Sequence, residues 1–305
     1  MDNILGEFDG FFSAGEVRFL WRRLLENRRC GCGQPIGECE IWGPVLRTFL
    51  GSNFDHLEAR RIVQLQRKSV RTHHTWKLLR RPPGGNFSPP GVAHYAEVTA
   101  AVYRTVADLT GARVIVDSSK RPSDGAMLRL LPGIETYFVH LVRDPRAVAY
   151  SRQRKKLNPD REIPANMGGK NPTLCAFQWI VGNLGANALQ RAHRSDRSMV
   201  LRYEDFTRHP RSAIQKITDM LGEWPESTPF LDNRTVQLET HHTVSGNPTR
   251  FNTGPTELRE DTRWVKGMSA RDRRIVTVMT LPQLLHYGYP TRVRPDRPAE
   301  APTEP

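Results

Sequence analysis

Cysteine is scarce in this chain: four residues in 305, at Cys30, Cys32, Cys39 and Cys175. So few thiols exclude a disulfide-built scaffold and point to a reducing, cytoplasmic setting. There is no apolar run of the length a membrane helix needs, no basic-apolar-small pattern of a secretory leader, and no internal repeat. Also missing is any Gly-rich turn between a strand and a helix; "RPPGGN" has no strand before it, and "NMGGKNPT" lacks the same context. Aromatic residues do not alternate with the basic pairs Arg22-Arg23, Arg60-Arg61 and Arg80-Arg81, and no nucleic-acid-binding motif is visible.

What is present is ordinary for a globular protein, 38% hydrophobic and 25% charged, with a net charge of +13. That excess favours an anionic partner: a nucleic acid, a membrane surface, or a phosphorylated or sulfated small molecule. Most of the basic pairs read as solvated surface. Three cysteines form "CGCGQPIGEC". A C-x-C-x6-C run leaves a zinc site one ligand short, and His56 has no supporting spacing, so a stapled loop or plain buried thiols is the preferred reading, with no metal.

Strand and helix signals alternate along the chain. "ARVIVDSS", "ETYFVHLVRD" and "SMVLRYEDF" are short apolar strands ending in polar residues. "PRAVAYSRQRKK", "PTLCAFQWIVGNLGANALQRAH" and "HPRSAIQKITDMLG" read as helices, the first opening with Pro at its first position. "MDNILG" reads as the end of a helix stopped by Gly6, and Phe11–Ala14 as a strand edge or loop. This order implies an α/β fold with a central, mainly parallel sheet flanked by helices. "RRPPGGNFSPPG" (80–91) reads as a surface loop, and residues 291–305 as a disordered Pro-rich tail after a domain spanning 1–290.

In such sheets chemistry gathers beyond the strand ends. There stand "DSSK", "VRDP" and "RYED". Arg143 leaves one strand, and Ser151 follows eight residues later, two turns into the next helix. An Arg fork with a hydroxyl donor suits a terminal phosphate; pairing of Arg143 with a structural carboxylate is the equal alternative.

This stretch resembles the 3′-phosphate motif of the sulfotransferase family, whose donor is 3′-phosphoadenosine 5′-phosphosulfate (PAPS). "RYEDFTRHP" resembles the same family's segment carrying a Tyr near the adenine, here Tyr203. "GNPTRFNTGPTELREDTRW" resembles its C-terminal nucleotide loop, matching at Arg250, Gly254, Asp261 and Trp264 with a longer gap; Arg250 is implied as a second phosphate clamp. "DSSK" matches a polar strand-end motif in which Ser119 and Lys120 face the sulfonate or the acceptor. The likeness runs from residue 1 to about 268 and includes "GEVRFLW" and "CGCG", as in the bacterial branch. It implies a P-loop-NTPase-like sulfotransferase fold.

The resemblance also implies a first strand and phosphosulfate loop ahead of "DNILG"; the expectation is a chain lacking both, with a start roughly twenty-five residues upstream and impaired turnover. Glu16 is the first candidate for the base on the acceptor hydroxyl, with His73, His74, His241 and His242 competing. Its bland alternative is an acid at a helix N-terminus, as Tyr203 has a core role and Lys120 a solvated loop position as theirs. The implied acceptor is a hydroxyl of a carbohydrate, lipid or other small molecule, and no metal is required. A non-catalytic nucleotide-binding or scaffold protein is the alternative function.

Overall fold

The computed structural model describes residues 1–82, 90–131, 133–154, 156–158, 165–167 and 169–293. The centre of the expected surface loop, most of 155–168 and the tail from 294 lie outside the described residues.

The chain starts with a one-turn helix α1 (Asp2–Leu5) and strand β1 (Phe11–Gly15). A helical block follows: α2 (Leu20–Leu25), α3 (Trp42–Leu50), α4 (His56–Ser69), α5 (Thr75–Leu79) and the long α6 (Pro90–Thr110). Then come β2 (Val114–Asp117), α7 (Pro122–Leu128), β3 (Phe138–Val142), α8 (Pro145–Gln153), β4 (Lys156–Asn158) and β5 (Ala165–Met167). The last part holds α9 (Pro172–Ala192), β6 (Ser198–Arg202), α10 (Tyr203–Arg208), α11 (Pro210–Leu221), β7 (Thr235–Leu238), β8 (Gly254–Glu257), α12 (Arg263–Gly267) and α13 (Ala270–His286).

The strands and helices read from the sequence stand where their signals lie. Local chemistry explains the helix starts. Pro145, Pro172 and Pro210 each occupy a first turn, where a missing N–H costs nothing. Asp144 and Asn171 accept from backbone N–H groups of the turns they cap, worth about 1 kcal/mol each. Helix α11 ends on Gly222 at φ +71°, a left-handed stop. Gly6 ends α1 as expected, though with a right-handed backbone, and a Cβ there would lie 2.6 Å from Ser13 Cβ. It lets α1 lie close to β1.

The parallel strands form two pairs, β1 with β2 and β3 with β6, where the sequence reading expected one central sheet. Among the described residues no ladder joins β2 to β3. Packing ties the pairs together instead. Phe11, Val114, Val116, Val139, Met199 and Leu201 share one apolar cluster with Ile4, Leu5 and the α11 face Ala213, Ile214, Ile217. The other side of the β1–β2 pair is covered by the helical block, through Ala14, Val17, Leu20, Leu46, Ile62 and Val106. Two antiparallel pairs, β4–β5 and β7–β8, complete the strands. Both parallel pairs therefore end in polar residues where helices begin.

Candidate active site

The first strand-end group is built by a kink in β1. Its register with β2 shifts between Ser13 and Gly15, and Gly15 takes φ +67°. A Cβ at Gly15 would sit 2.6 Å from the Ser245 carbonyl oxygen. Only glycine serves there. The next residue, Glu16, donates its N–H to Ser245 O at 2.9 Å, and its carboxylate is paired with the Lys120 ammonium. Glu16 is largely enclosed (13% side-chain exposure), whereas Lys120 reaches into solvent (63%). Lys120 follows β2 by way of Ser118 and Ser119. The Ser119 N–H donates to Asp117 Oδ1 at 2.7 Å, and its hydroxyl accepts from the Arg18 N–H at 3.3 Å.

Behind this pair lies a buried polar layer. Tyr103 donates its hydroxyl to Asp117 Oδ2 at 2.5 Å, and Arg18 Nη1 donates to Asp124 Oδ2 at 2.8 Å. Burial raises the Asp117 carboxyl above its ordinary range. It raises Asp124 to about 7, outweighing the attraction of Arg18, with Asp117 adding repulsion. A cavity of about 20 Å³, room for one water, is lined by Arg18, Tyr95, Asp117, Ser119 and Asp124 among others.

The second group caps the β3–β6 pair. Val142 is in register with Arg202, so the next residues, Arg143 and Tyr203, emerge side by side. The Arg143 guanidinium carbon lies 4.4 Å from the Tyr203 ring centre. Its Nη2 donates to Asp261 O at 3.3 Å and is 3.7 Å from Asp261 Oδ2. Arg263 grips Asp261 through two bonds of 2.7 and 2.8 Å and, with Arg143, holds its carboxyl down to about 2. Arg143 Nε is buried with no hydrogen-bond partner among the described residues. Tyr203 is half-buried, and burial raises its phenol.

Beneath Arg143 the turn is locked. The Asp144 N–H donates to Glu204 Oε1 at 3.0 Å, Tyr289 donates to Glu204 Oε2 at 2.7 Å, and the fully buried Arg146 forks onto Asp144 at 2.9 and 2.6 Å. Burial beside Glu204 pushes the Tyr289 phenol far up, so that it remains a donor.

The structure thus joins Glu16 with Lys120 and Ser119, and Arg143 with Tyr203 and Asp261. Ser151 is half-buried on α8. Trp264 is buried and stacks on Arg146, 5.0 Å from its guanidinium carbon. Arg250 is buried (6% exposed) and donates to Thr243 O and Arg29 O at 2.7 Å each, which ties the residue 243 backbone to the 28–40 loop. Gly254 opens β8 at φ +81°, where a Cβ would meet nothing.

Two competing bases have other partners. His241 is buried against Glu7, at 2.7 Å, and His242 faces Cys39. Exposed His56, the fourth ligand weighed for the cysteines, begins α4; the residue that joins them is His242. Arg18, Tyr103, Asp124, Arg146 and Glu204 were not singled out in the sequence. The acid in "RPSDG" and the Glu of "RYED" are the local signals that mark two of them.

The two parallel strand pairs thus end in two polar groups, Glu16 with Lys120 and Arg143 with Tyr203 and Asp261. A profile described as "Sulfotransferase family" matches residues 55–226, more than half of the chain. The chain belongs to the sulfotransferase family. Its fold is that of the sulfotransferase domain from the olefin synthase of Synechococcus PCC 7002 (TM-score 0.51, 19% identity, covering 95% of this chain and 90% of that one). The sulfotransferase domain from the curacin biosynthetic pathway aligns over 95% of this chain and 93% of its own, at TM-score 0.49 and 13% identity. No curated protein matches the chain. Among the described residues no helix is long and apolar enough to cross a membrane.

Proposed function

We propose that this chain transfers a sulfuryl group from PAPS to a hydroxyl of a carbohydrate, lipid or other small molecule, in the cytoplasm. The observation that carries the reading is Arg143: a strand-end guanidinium, partly open to solvent, stacked on Tyr203 and beside Asp261. A 3′-phosphate takes the solvent-facing part of that guanidinium, and the Tyr203 ring offers a stacking face to the base. Ser151, on the helix that starts just after Arg143, is assigned a hydroxyl donor to the same phosphate.

PAPS, when bound, supplies an activated sulfuryl group on a phosphate leaving group. The chain's residues do the rest. Glu16, held by Lys120, accepts the acceptor hydroxyl's proton on its carboxylate oxygen as the oxygen becomes a nucleophile. Lys120 and Ser119 bring a cation and a hydroxyl to the same edge, where charge develops. Enclosure of Glu16 keeps its carboxylate oriented; exposure of Lys120 leaves the ammonium able to swing from Glu16 to an incoming anion.

Titration with 3′-phosphoadenosine 5′-phosphate tests the nucleotide half. It binds at least tenfold more tightly than adenosine 5′-phosphate, and Arg143→Ala removes the difference. Equal affinity for the two nucleotides overturns the reading. Release of 3′-phosphoadenosine 5′-phosphate from PAPS in the presence of hydroxyl acceptors then measures transfer.

A further inference from the structure

The cysteine loop, residues 28–40, is a tight turn: Arg29 and Pro35 form an antiparallel bridge, and Cys30 N–H donates to Gln34 O at 2.8 Å. A strap after β7, residues 239–246, lies across it. Where they meet, Cys39 Sγ is 3.5 Å from Cys30 Sγ and 3.3 Å from His242 Nδ1. The ligand atoms of Cys30, Cys32, Cys39 and His242 all lie within 4.8 Å of one another, and all three thiols are free.

A tetrahedral zinc ion with Zn–S about 2.3 Å and Zn–N about 2.0 Å sets its ligand atoms about 3.5–3.8 Å apart. The Cys39–Cys30 and Cys39–His242 separations differ from that by only a few tenths of an ångström. Three sulfurs and an imidazole are a soft set that suits zinc and disfavours magnesium or calcium. The other ring nitrogen gives independent support. His242 Nε2 is 3.1 Å from Glu40 Oε1, the carboxylate contact that turns the opposite nitrogen's lone pair toward a metal.

The backbone around the cluster is already fixed. Gly31 N–H donates to Thr243 O at 2.9 Å, Arg250 bridges Thr243 O and Arg29 O, and Trp42 Nε1 donates to His242 O. A Cβ on Gly31 would lie 2.3 Å from His241 O, so only glycine lets the strap come this close. The same strap continues to the candidate catalytic edge: Val244 N–H donates to Ala14 O and Ser245 O accepts from Glu16 N–H, both at 2.9 Å.

We propose that Cys30, Cys32, Cys39 and His242 bind one Zn²⁺ ion in a closed, four-ligand structural site that fastens the 28–40 loop to the strap supporting Glu16. All four positions are filled by protein, so the ion has no open position for substrate and serves the architecture. This replaces the sequence reading of a stapled loop or plain buried thiols, which lacked the fourth ligand because His242 is distant in the chain.

The test is elemental analysis of the full chain, produced with Zn²⁺ in the medium and purified without chelator. One zinc per chain is expected. Cys32→Ser and His242→Ala each lower that content at least tenfold, and Cys175→Ser, on α9, leaves it unchanged. Because a ligand variant can fail to fold, the unsubstituted chain is also stripped and loaded with Co²⁺. Intense visible bands with a thiolate-to-cobalt charge-transfer shoulder support a tetrahedral sulfur-rich site. A metal-free chain that takes up no Co²⁺, a Cys30–Cys39 disulfide in non-reducing peptide maps, or stoichiometric iron or copper in place of zinc overturns the proposal.

Discussion

The Arg143 guanidinium packs against the face of the Tyr203 ring, 4.4 Å from its centre, because their two parallel strands end in register. Both are partly open, and the locked turn beneath them is made by Asp144, Arg146 and Glu204. A cation so placed, part open and beside Asp261, is the group to which the proposed function assigns the 3′-phosphate.

Arg143→Ala therefore weakens 3′-phosphoadenosine 5′-phosphate about 10- to 100-fold, as expected for losing hydrogen bonds to a charged group worth about 1.5–3 kcal/mol. Arg143→Lys recovers only part, since an ammonium neither forks nor stacks as a guanidinium does. Calorimetric titration reads both, and an unchanged melting temperature separates the effect from unfolding. Full affinity in the alanine variant contradicts the assignment.

Glu16→Gln keeps the shape of the carboxylate and removes its basicity. With the base role assigned to it, kcat falls about 10²- to 10⁴-fold while nucleotide affinity stays within a factor of two or so. Steady-state rates against acceptor concentration, beside nucleotide titrations, check the split. If turnover persists, exposed His73 or half-buried His74 remains to be tested, since His241 and His242 are held by Glu7 and the cysteine cluster.

Much of this was legible in the sequence. Apolar runs ending in "DSSK", "VRDP" and "RYED" marked the strand ends, and prolines marked the helix starts, because these signals are local. What was hidden depends on chain segments far apart. Arg18 with Asp124, and His242 with the cysteines, are each joined only by tertiary packing. Arg250 matched a nucleotide-loop pattern, but the fold turns its guanidinium onto two backbone carbonyls. A motif match names a residue type at a place; it does not say which way the side chain is drawn.

Asp124 makes stability depend on pH. Its carboxyl titrates near 7 in the folded chain because burial disfavours its charge, against about 3.9 when unfolded. Between those values the folded state holds the extra proton, so this group's contribution falls as pH rises from about 4 to 7 and is level above. At about 1.4 kcal/mol per pKa unit the change amounts to a few kcal/mol. Asp124→Asn removes that slope. Urea denaturation of both proteins at pH 5 and pH 8 checks it: the difference in stability between variant and parent shifts in the variant's favour at the higher pH. A pH-independent difference contradicts the burial argument.

Two glycines with similar backbones separate strain from collision. Gly15 and Gly254 both sit at positive φ, +67° and +81°. At Gly254 an added Cβ meets nothing, so Gly254→Ala costs only the left-handed penalty, about 1–2 kcal/mol. At Gly15 the same methyl adds a 2.6 Å contact with Ser245 O and 2.8 Å with Thr243 Cβ. Neither neighbour can yield freely, because Ser245 O accepts from Glu16 N–H and Thr243 O is held by Gly31 and Arg250. Gly15→Ala therefore loses clearly more stability than Gly254→Ala, and it displaces Glu16 from Lys120. The urea midpoints order the two variants, and turnover falls further in Gly15→Ala than its lost stability accounts for under conditions where both remain folded. Equal midpoints would show that the strap moves aside, and with it the claim that it fixes the position of Glu16 would fail.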